Sequence, residues 1–442
     1  MNTCDVAVVG AGSVGAAAAL AFARAGKHVV LIDPRPDPFP AQTGGGGFSL
    51  PGAAVAMAGV AALPAAVLPQ DADDWDVRVF ALSPASVRLL GQLGVWPRMA
   101  PERVAPVYDM RLFHDADGGG QDASLHLEAY QGQIERLAHI VEGRHLQGAL
   151  DAAVADASRV LRLKRLEAAV SALSLPDEGD VRQGARLTLA SGEQWRAGLV
   201  VAADGARSPL RDMAGLAHRV FDYHQTAVVA NFNSSLPTRD AAWQWFDRDQ
   251  GVMALLPLPA NGRPAGTGRV SLVWSAPTER AEALQGLSGD ALSAAVSAQA
   301  RGALGDLQLI SPVASFPLRA VSCPTVIAPA FAMIGDAAHA VHPMAGQGMN
   351  LGMGDVQALI DALLIAGSVP AWHQGTPSRL LLRRYERARR EPVALMQATM
   401  NGLHRLFGPA LPAPLAAIRN IGWQAVSASG WVKRQLIAHA IR

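Results

Sequence analysis

The chain has 442 residues, more than one ordinary hydrophobic core accommodates, so we expect two domains or one large composite. Apolar residues make up 50% of the chain and charged residues 17%, a composition that excludes an intrinsically disordered protein. The 38 Lys and Arg residues nearly balance the 37 Asp and Glu residues, so no strong net charge attracts DNA or RNA.

The two cysteines, Cys4 and Cys323, are too few for a disulfide framework and are not spaced as a zinc site, which fits a reducing cytoplasm. The N-terminus lacks the basic-then-apolar order of a signal peptide. Residues 38–70 carry no charge, but their small side chains and Pro64 suit a membrane-spanning helix poorly. We therefore predict a cytoplasmic protein with a Gly/Ala insertion at 41–72.

The first 33 residues have the order strand, glycine turn, helix, strand, acid. "VAVVG" is a short β-branched run, and the Ala-rich segment 13–25 is typical of a helix. Gly10 permits a tight turn, Gly12 lets the backbone approach a pyrophosphate, and Gly15 lets helix and strand pack closely. Asp33 ends the next strand, "HVVLID", where an acid binds a ribose. This order predicts a dinucleotide site but does not separate NAD from FAD.

Two later apolar strands also end in an Asp. "LVVAADGARSPLR" (199–211) runs into Asp204, and "FAMIGDAAHAVHPMAGQGMNLGMGD" (331–355) runs into Gly335 and Asp336 before a Gly-rich helix start. Such an Asp can accept hydrogen bonds from a polyol chain, and the helix N-terminus suits a flavin edge that becomes negative on reduction. The alternative for each Asp is that it caps its own helix.

These segments resemble the class A flavoprotein monooxygenases, and among them the ubiquinone-biosynthesis hydroxylases. The resemblance covers nearly the whole chain and rests on the Gly10–Asp33 fingerprint, "DVRVFALSPASVRLLGQLGVW", "IVEGRHLQGAL", "ADGARSPLR", "GDAAHAVHPMAGQGMNLG" and "RRYERARRE". It implies an α/β fold similar to that of p-hydroxybenzoate hydroxylase. In that fold a Rossmann-like FAD-binding domain is interleaved with a mixed β-sheet substrate domain and followed by a C-terminal helical segment.

The resemblance also implies which residues bind FAD. Gly10, Gly12, Gly15 and Asp33 correspond to the holders of its ADP half, and Arg78 and Arg144 to basic residues along the pyrophosphate. Gly143 stands where the family commonly has Asn, which implies a looser hold on Arg144.

Further positions carried over by the resemblance surround the flavin. Asp204 corresponds to an acid whose loop lies between FAD and the reducing nucleotide, and Asp336, after Gly335, corresponds to the acid that binds the ribityl chain. Pro343 corresponds to a proline whose backbone lies beside the reactive flavin carbon. The backbone cradle of the flavin N1 and O2 edge corresponds to Gly346, Gln347, Gly348, Met349 and Asn350.

The side chains do not form a triad or a metal motif, so the cofactor must supply the chemistry. The resemblance implies that NAD(P)H reduces FAD and that a flavin C4a-hydroperoxide transfers one oxygen atom of O2 to an electron-rich phenol. His339 and His342 are candidate acid-base groups in the flavin segment, although a structural role is the stronger reading of each.

We predict three chain regions. The FAD-binding domain comprises 1–105, 139–215 and 320–395; the substrate-binding sheet comprises 106–138 and 216–319; the C-terminal helices comprise 396–442. Strand-like pieces such as "QTAVVANF", "GVMALLPLP" and "GRVSLVW" support the sheet. Aromatic residues that could line its pocket, or simply pack in its core, are Trp243, Trp245, Phe246 and Trp274.

The C-terminal end could contact a membrane. Leu436, Ile437, Ala440 and Ile441 form one helical face, with Lys433, Arg434 and Arg442 nearby. This pattern fits an anionic membrane surface and equally a helix docked on its own protein. The run 383–390 reads as a solvated helix face.

We therefore expect a hydroxylase of a polyprenylated phenol in ubiquinone biosynthesis, either soluble or peripheral on the inner face of the membrane and in contact with other proteins of that pathway. Two rivals remain: a hydroxylase of a small soluble aromatic metabolite, and a non-catalytic flavin-fold subunit of a biosynthetic assembly.

Overall fold

The computed structural model describes residues 1–36, 74–114, 124–177, 183–342, 347–365, 372–373, 376–406, 429 and 433. The Gly/Ala insertion, Pro343, Gly346 and the predicted C-terminal apolar face lie outside these residues.

In chain order the strands are β1 (Asn2–Val9), β2 (Val29–Asp33), β3 (Val79–Leu82), β4 (Val104–Val107), β5 (Asp109–His114), β6 (Ser124–Glu128), β7 (Ala138–Glu142), β8 (Leu163–Glu167), β9 (Val170–Ser174), β10 (Ala185–Leu189), β11 (Gln194–Ala202), β12 (Arg219–Ser234), β13 (Ala241–Asp247), β14 (Gly251–Leu258), β15 (Gly268–Pro277), β16 (Leu307–Leu309), β17 (Ala314–Ser322), β18 (Ile327–Ala328), β19 (Phe331–Met333), β20 (His339–Ala340), β21 (Trp372–His373) and β22 (Thr376–Pro377). The helices are α1 (Ser13–Arg24), α2 (Pro84–Gln92), α3 (Gly143–Val160), α4 (Pro209–Met213), α5 (Thr278–Gln285), α6 (Gly289–Gln299), α7 (Gln347–Ile360) and α8 (Arg379–Leu406). None of the helices in the described ranges is both long and apolar enough to cross a membrane.

The first sheet has a parallel centre in the order β19-β11-β1-β2-β8, extended by antiparallel strands at its edges. Residues of β2 are all buried, as expected for a strand covered on both faces. Helix α1 connects β1 to β2, and its alanines give both high helix propensity and a close fit to the sheet. This is the predicted Rossmann-like unit, and it brings the carboxyl ends of β1, β2 and β11 to one edge.

The second sheet is mainly antiparallel, in the order β20-β17-β12-β15-β14-β13-β5-β6. The three strand-like pieces in the sequence form β12, β14 and β15, and the pair β5 and β6 joins them through a parallel pairing of β5 with β13. The predicted mixed α/β architecture is therefore confirmed. Helices α5 and α6 cover one face of this sheet, and the opposite face is turned toward the first sheet.

A third, three-stranded sheet in the order β3-β7-β4 was not anticipated. Its strands β4 and β7 straddle the predicted boundaries near residues 106 and 138, because they pair with each other rather than with the large sheet. Strand β17 likewise continues three residues beyond the predicted boundary at 319, to Ser322, because it pairs with β12 and β20.

Helix α8 bears on two expectations about the C-terminal region. It runs without interruption from Arg379 to Leu406, with Pro392 inside it, so the predicted boundary at 395/396 falls within one helix. Arg383, Arg384, Arg387 and Arg390 are exposed, but Arg389 is paired with a buried carboxylate and does not belong to a solvated face. A helical pattern of charges cannot reveal a partner contributed by another helix.

Candidate functional site

A cleft of about 850 Å³ lies between the first sheet and the second, a size typical of ligand and cofactor sites. Loops around the first sheet contribute one wall, which includes Gly12, Gly15, Arg35, Asp76, Arg78, Gly143, Arg144, Gly205, Arg207, Asp336, Gly348 and Met349. The second sheet contributes the other wall, which includes Met110, Val229, Ala242, Trp243, Gln244, Ala254, Leu256, Val273, Ser275, Phe316 and Leu318.

The glycine turn after β1 has the geometry that its spacing predicted. Gly10 adopts φ +103°, and a Cβ there would lie 2.3 Å from the carbonyl oxygen of Ala203. A Cβ on Gly15 would lie 1.9 Å from the carbonyl oxygen of Gly10. Gly12 is the N-cap of α1, has no side-chain cap, and borders open space. The N-terminal N–H groups of α1 are therefore available to an anion in the cleft.

Asp33 lies next to this turn, at the end of β2. Its carboxylate accepts the N–H of Ala11 at 2.6 Å and pairs with Arg35 at 2.9 Å. Burial alone raises the pKa of Asp33, but the Arg35 and backbone hydrogen bonds outweigh this and lower it, so the group stays ionised. Arg35 lines the cleft and was missed in the sequence, although a basic residue just after the acid was a visible signal.

Asp336 lies in a short 3-10 turn that follows Gly335, whose φ is +59°. Its side chain is open to the cleft and makes no hydrogen bond within the described part of the chain. The surrounding protein raises the pKa of Asp336 by desolvation, against the opposing charges of His339 and Arg78. A carboxylate that is open to the cleft and has free acceptor sites is suited to the hydroxyl groups of a ribityl chain.

Arg78 and Arg144 are organised by one carboxylate, that of Asp76. It accepts the backbone N–H of Arg78 at 3.1 Å and that of Arg144 at 2.8 Å. The guanidinium of Arg144 pairs with Asp74 at 2.9 Å, and the N–H of Gly143 donates to the carbonyl of Arg78 at 2.7 Å. A Cβ on Gly143 would lie 3.2 Å from both the Arg78 carbonyl and Asp76, so glycine keeps this junction close. The expected looser hold on Arg144 is therefore not what the geometry gives.

Trp75, next to Asp76, is clamped between two buried arginines. The guanidinium of Arg103 lies 4.0 Å and that of Arg269 4.7 Å from its ring centroid. Arg103 also makes a bidentate pair with buried Glu142, with both distances 2.7 Å. Asn231 Nδ2 donates to the carbonyls of Trp75 and Asp76, at 3.3 and 3.1 Å. Since Arg269 and Asn231 belong to the second sheet, the clamp joins both walls of the cleft.

Asp204 is engaged locally. Its carboxylate accepts the N–H of Leu210 at 3.1 Å, and burial raises its pKa against the hydrogen bonds from Ser208 and Leu210. This geometry matches the helix-capping alternative. The following residues Gly205, Ala206 and Arg207 line the cleft, so the loop, rather than the Asp204 carboxylate, faces the site.

His339 is part of a buried network that includes helix α7 and helix α8. Its Nε2 lies 2.8 Å from Oδ2 of Asp355, which has no exposed surface and also accepts the N–H of Gly335 at 2.8 Å. Arg389 pairs with the other oxygen of Asp355 at 2.6 Å. Burial would raise the pKa of Asp355, but His339 and Arg389 outweigh it and lower the pKa. These contacts place His339 in a structural role.

His342 has no exposed surface and points into the second sheet rather than the cleft. Its Nε2 lies 3.0 Å from Oε1 of Gln225, and its ring packs edge-on against Tyr223 with 4.8 Å between centroids. Its predicted acid-base role therefore remains a prediction, with a geometry that suits packing better.

The start of α7 holds the described residues of the predicted flavin cradle, and their contact with flavin stays a prediction. Gly348 and Met349 line the cleft next to Gln347, the first residue of the helix. Asn350 turns the other way: its side chain donates to the carbonyl of Ala81 and accepts from Ser83 and Ser86, each at 2.8 Å. Asn350 thereby fixes the helix start against the third sheet.

The aromatic residues of the second sheet have mixed positions. Trp243, Trp245 and Trp274 pack in the core under α5 and α6, and Trp243 also borders the cleft. Phe246 packs against Val252 and Met400. Ordinary core packing was the alternative stated for each, and it holds for all four.

These residues fit FAD as the occupant of the cleft. The uncapped helix N-terminus at Gly12 suits the pyrophosphate, and the open carboxylate of Asp336 suits the ribityl hydroxyls. In the described ranges no group of three or more His, Cys, Asp or Glu side chains could hold a metal ion.

Comparison with known proteins agrees with this geometry. Residues 43–399 match the family model described as "FAD binding domain". The chain is 33% identical to 3-demethoxyubiquinol 3-hydroxylase of Escherichia coli K12, over 99% of this chain and 98% of that protein. It is 32% identical to ubiquinone hydroxylase UbiL of Rhodospirillum rubrum, over 100% of this chain and 90% of that protein.

Solved structures share the fold. pqsL, a probable FAD-dependent monooxygenase from Pseudomonas aeruginosa, matches with a TM-score of 0.68 at 21% identity, over 96% of this chain and 100% of that one. p-Nitrophenol 4-monooxygenase PnpA from Pseudomonas putida DLL-E4 matches with a TM-score of 0.67 at 17% identity, over 100% and 99% of the two chains. The chain therefore belongs to the family of FAD-dependent monooxygenases that includes the ubiquinone-biosynthesis hydroxylases.

Proposed function

We propose that this protein hydroxylates the ring of a polyprenylated phenol in ubiquinone biosynthesis, with FAD as cofactor and NAD(P)H as electron donor. The observation that carries the proposal is the single continuous cleft, which connects the dinucleotide turn and Asp336 to a largely apolar sheet face. The full-length likeness to ubiquinone-biosynthesis hydroxylases supports this substrate class.

FAD, when bound, supplies oxygen activation and transfer, and the chain's own residues bind and enclose it. Gly10, Gly12 and Gly15 would let the backbone approach the pyrophosphate, and Asp336 would accept hydrogen bonds from the ribityl hydroxyls. Arg78 and Arg144 provide positive charge on the same wall. The small and aliphatic residues of the second sheet exclude water and pack against the aromatic ring.

Residues at the mouth of the cleft support the proposal that the protein binds peripherally to the cytoplasmic face of a membrane. Val220 of β12 and Phe316 of the paired strand β17 border the cleft and are 56% and 40% exposed. Phe221, next to Val220, is 52% exposed. Arg219 and Arg319 lie beside them and are also exposed, and Arg319 is paired with Asp222 at 3.2 Å. Exposed apolar side chains flanked by cationic ones suit an anionic lipid surface, in which a prenylated phenol dissolves.

Two experiments test the proposal. The purified protein should contain extractable FAD. With NAD(P)H and O2 it should add one oxygen atom to a short-chain prenylated phenol, and mass spectrometry of the product measures this addition. Turnover of a water-soluble phenol but not of the prenylated one would favour the soluble-aromatic rival, and a protein without flavin absorbance would favour a non-catalytic subunit. Deletion of the gene should cause a prenylated phenol that lacks one ring oxygen to accumulate.

A further inference from the structure

Gln244 is a polar side chain in an apolar wall. Strand β13 alternates, with Trp243 and Trp245 in the core under the helices and Gln244 on the cleft face. Its neighbours in register are Ala254 on β14 and Leu112 on β5, neither of which has a polar side chain.

The amide of Gln244 is buried and has no hydrogen-bond partner among the residues that the structure describes. The residue is only 7% exposed, yet its side chain makes no hydrogen bond within the described part of the chain. The polar atoms of this amide are not fully sealed from solvent, and the residue lines the cleft, so the amide is accessible from there. An amide enclosed in this way costs free energy unless a ligand or water pairs with it.

Among the described residues of the second sheet that line the cleft, Ser275 of β15 is the other uncharged polar side chain. It is 3% exposed and lies on the cleft face opposite Val252. Between Gln244 and Ser275 the wall presents aliphatic side chains such as Ala254 and Val273. The polar contacts that this face can offer to a ring are therefore few and fixed on strands.

We infer that Gln244 recognises the oxygen substituent of the aromatic substrate and orients the ring in the cleft, with Ser275 as a secondary contact. A carboxamide both donates and accepts hydrogen bonds, which matches a phenol hydroxyl. A site built to pair with a hydroxyl discriminates against the analogue that lacks it, because the buried amide would then stay unpaired. This inference rests on the proposed function and identifies the phenol hydroxyl as the substrate group that the cleft recognises.

The test compares two ligands that differ by one hydroxyl group. A short-chain prenylated phenol and the matching prenylated benzene are titrated into the flavin-loaded protein, and binding is followed through the flavin absorbance. Wild-type protein should bind the phenol more tightly than the benzene. Gln244→Leu should weaken binding of the phenol by about threefold to tenfold, the worth of one neutral hydrogen bond, and leave binding of the benzene unchanged or stronger.

The matched control is Gln299→Leu in α6, on the helix-covered side of the same sheet, where Gln299 donates to Asp247 at 3.2 Å. It should leave both affinities unchanged. If Gln244→Leu weakened the binding of both ligands equally, or changed neither affinity, the inference would be overturned and the proposed function would stay intact. Failure of the wild-type protein to bind any prenylated phenol would instead refute the proposed function and the inference with it.

Discussion

Oδ2 of the fully buried Asp355 lies 2.8 Å from Nε2 of His339. The same carboxylate accepts the N–H of Gly335, the residue immediately before Asp336. Helix α7, whose first residues are the predicted flavin cradle, thereby fixes the turn that presents Asp336 to the cleft. Arg389 completes the pairing from α8.

Asp355→Asn should destabilise the protein and weaken its hold on FAD. Removing the charge leaves Arg389 buried beside a neutral amide, and breaking a buried pair in this way costs about 3 to 5 kcal/mol. Thermal unfolding and flavin titration both report the change. Asp361→Asn, which alters an exposed side chain paired with Gln357, is the control, and equal melting temperatures for the two variants would contradict the network.

FAD affinity should fall as the pH falls from neutral. The pKa of Asp336 without FAD is raised by desolvation, and ribityl hydroxyls donate more strongly to the ionised carboxylate than to the protonated acid, so the bound form has the lower pKa. Binding is then complete above the raised pKa and weakens below it, by at most about tenfold per pH unit. His339, Arg78 and Asp355 are the charged or titratable groups that act on Asp336. Flavin fluorescence titrations measure this dependence.

The matched variant is Asp336→Asn, which should bind FAD more weakly than wild type at neutral pH and with a flatter pH dependence. A pH dependence equal to that of wild type would assign the titration to another group.

Asp76→Ala should weaken FAD binding by about tenfold, because two hydrogen bonds to the backbones of Arg78 and Arg144 are lost. Asp74→Ala is the control: it removes an exposed ion pair to the Arg144 side chain and leaves that backbone in place. Isothermal titration of the flavin-free protein with FAD measures both constants. A larger effect from Asp74→Ala would mean that the guanidinium position, rather than the backbone, matters.

Gly12→Ala and Gly15→Ala should fail in different ways. A Cβ on Gly12 meets open space, so this variant should fold normally but bind FAD weakly, since the methyl group occupies the approach of the pyrophosphate. A Cβ on Gly15 would lie 1.9 Å from the Gly10 carbonyl, so this variant should also lose thermal stability. Melting curves without FAD separate them, and identical curves would argue against the geometry of the turn.

The arginines around Trp75 carry a prediction about the cleft as a whole. Arg103→Met should lower the melting temperature substantially, because Glu142 is then left as a buried unpaired charge. Arg103→Met combined with Glu142→Gln should recover part of the loss, as measured by calorimetry. A double variant no more stable than the single one would show that the unpaired Glu142 charge does not cause the loss, which would then be assigned to the lost contact between Arg103 and the Trp75 ring.

The sequence by itself determined the glycine turn after β1, the strands of the second sheet and the position of Asp336 after a strand end. Each depends on neighbours in the chain: strand, glycines and helix are contiguous around Gly10, and Asp336 directly follows its strand. Alternation of side chains along β12, β14 and β15 likewise follows from the two-residue period of a strand. Such local patterns survive in a single sequence because the geometry that requires them is local.

Only the tertiary structure decided how these parts are held together. Asn350 accepts a hydrogen bond from the backbone N–H of Ser83, which lies 267 residues away in the sequence. Arg389, which the charge pattern placed in solvent, pairs with Asp355 on another helix. Trp75 meets Arg269 from a different sheet, and Gln244 faces the cleft only because Trp243 and Trp245 are packed under the helices. A charge or amide has the same local pattern whether it is solvated or buried, so its partner is set by packing between distant segments.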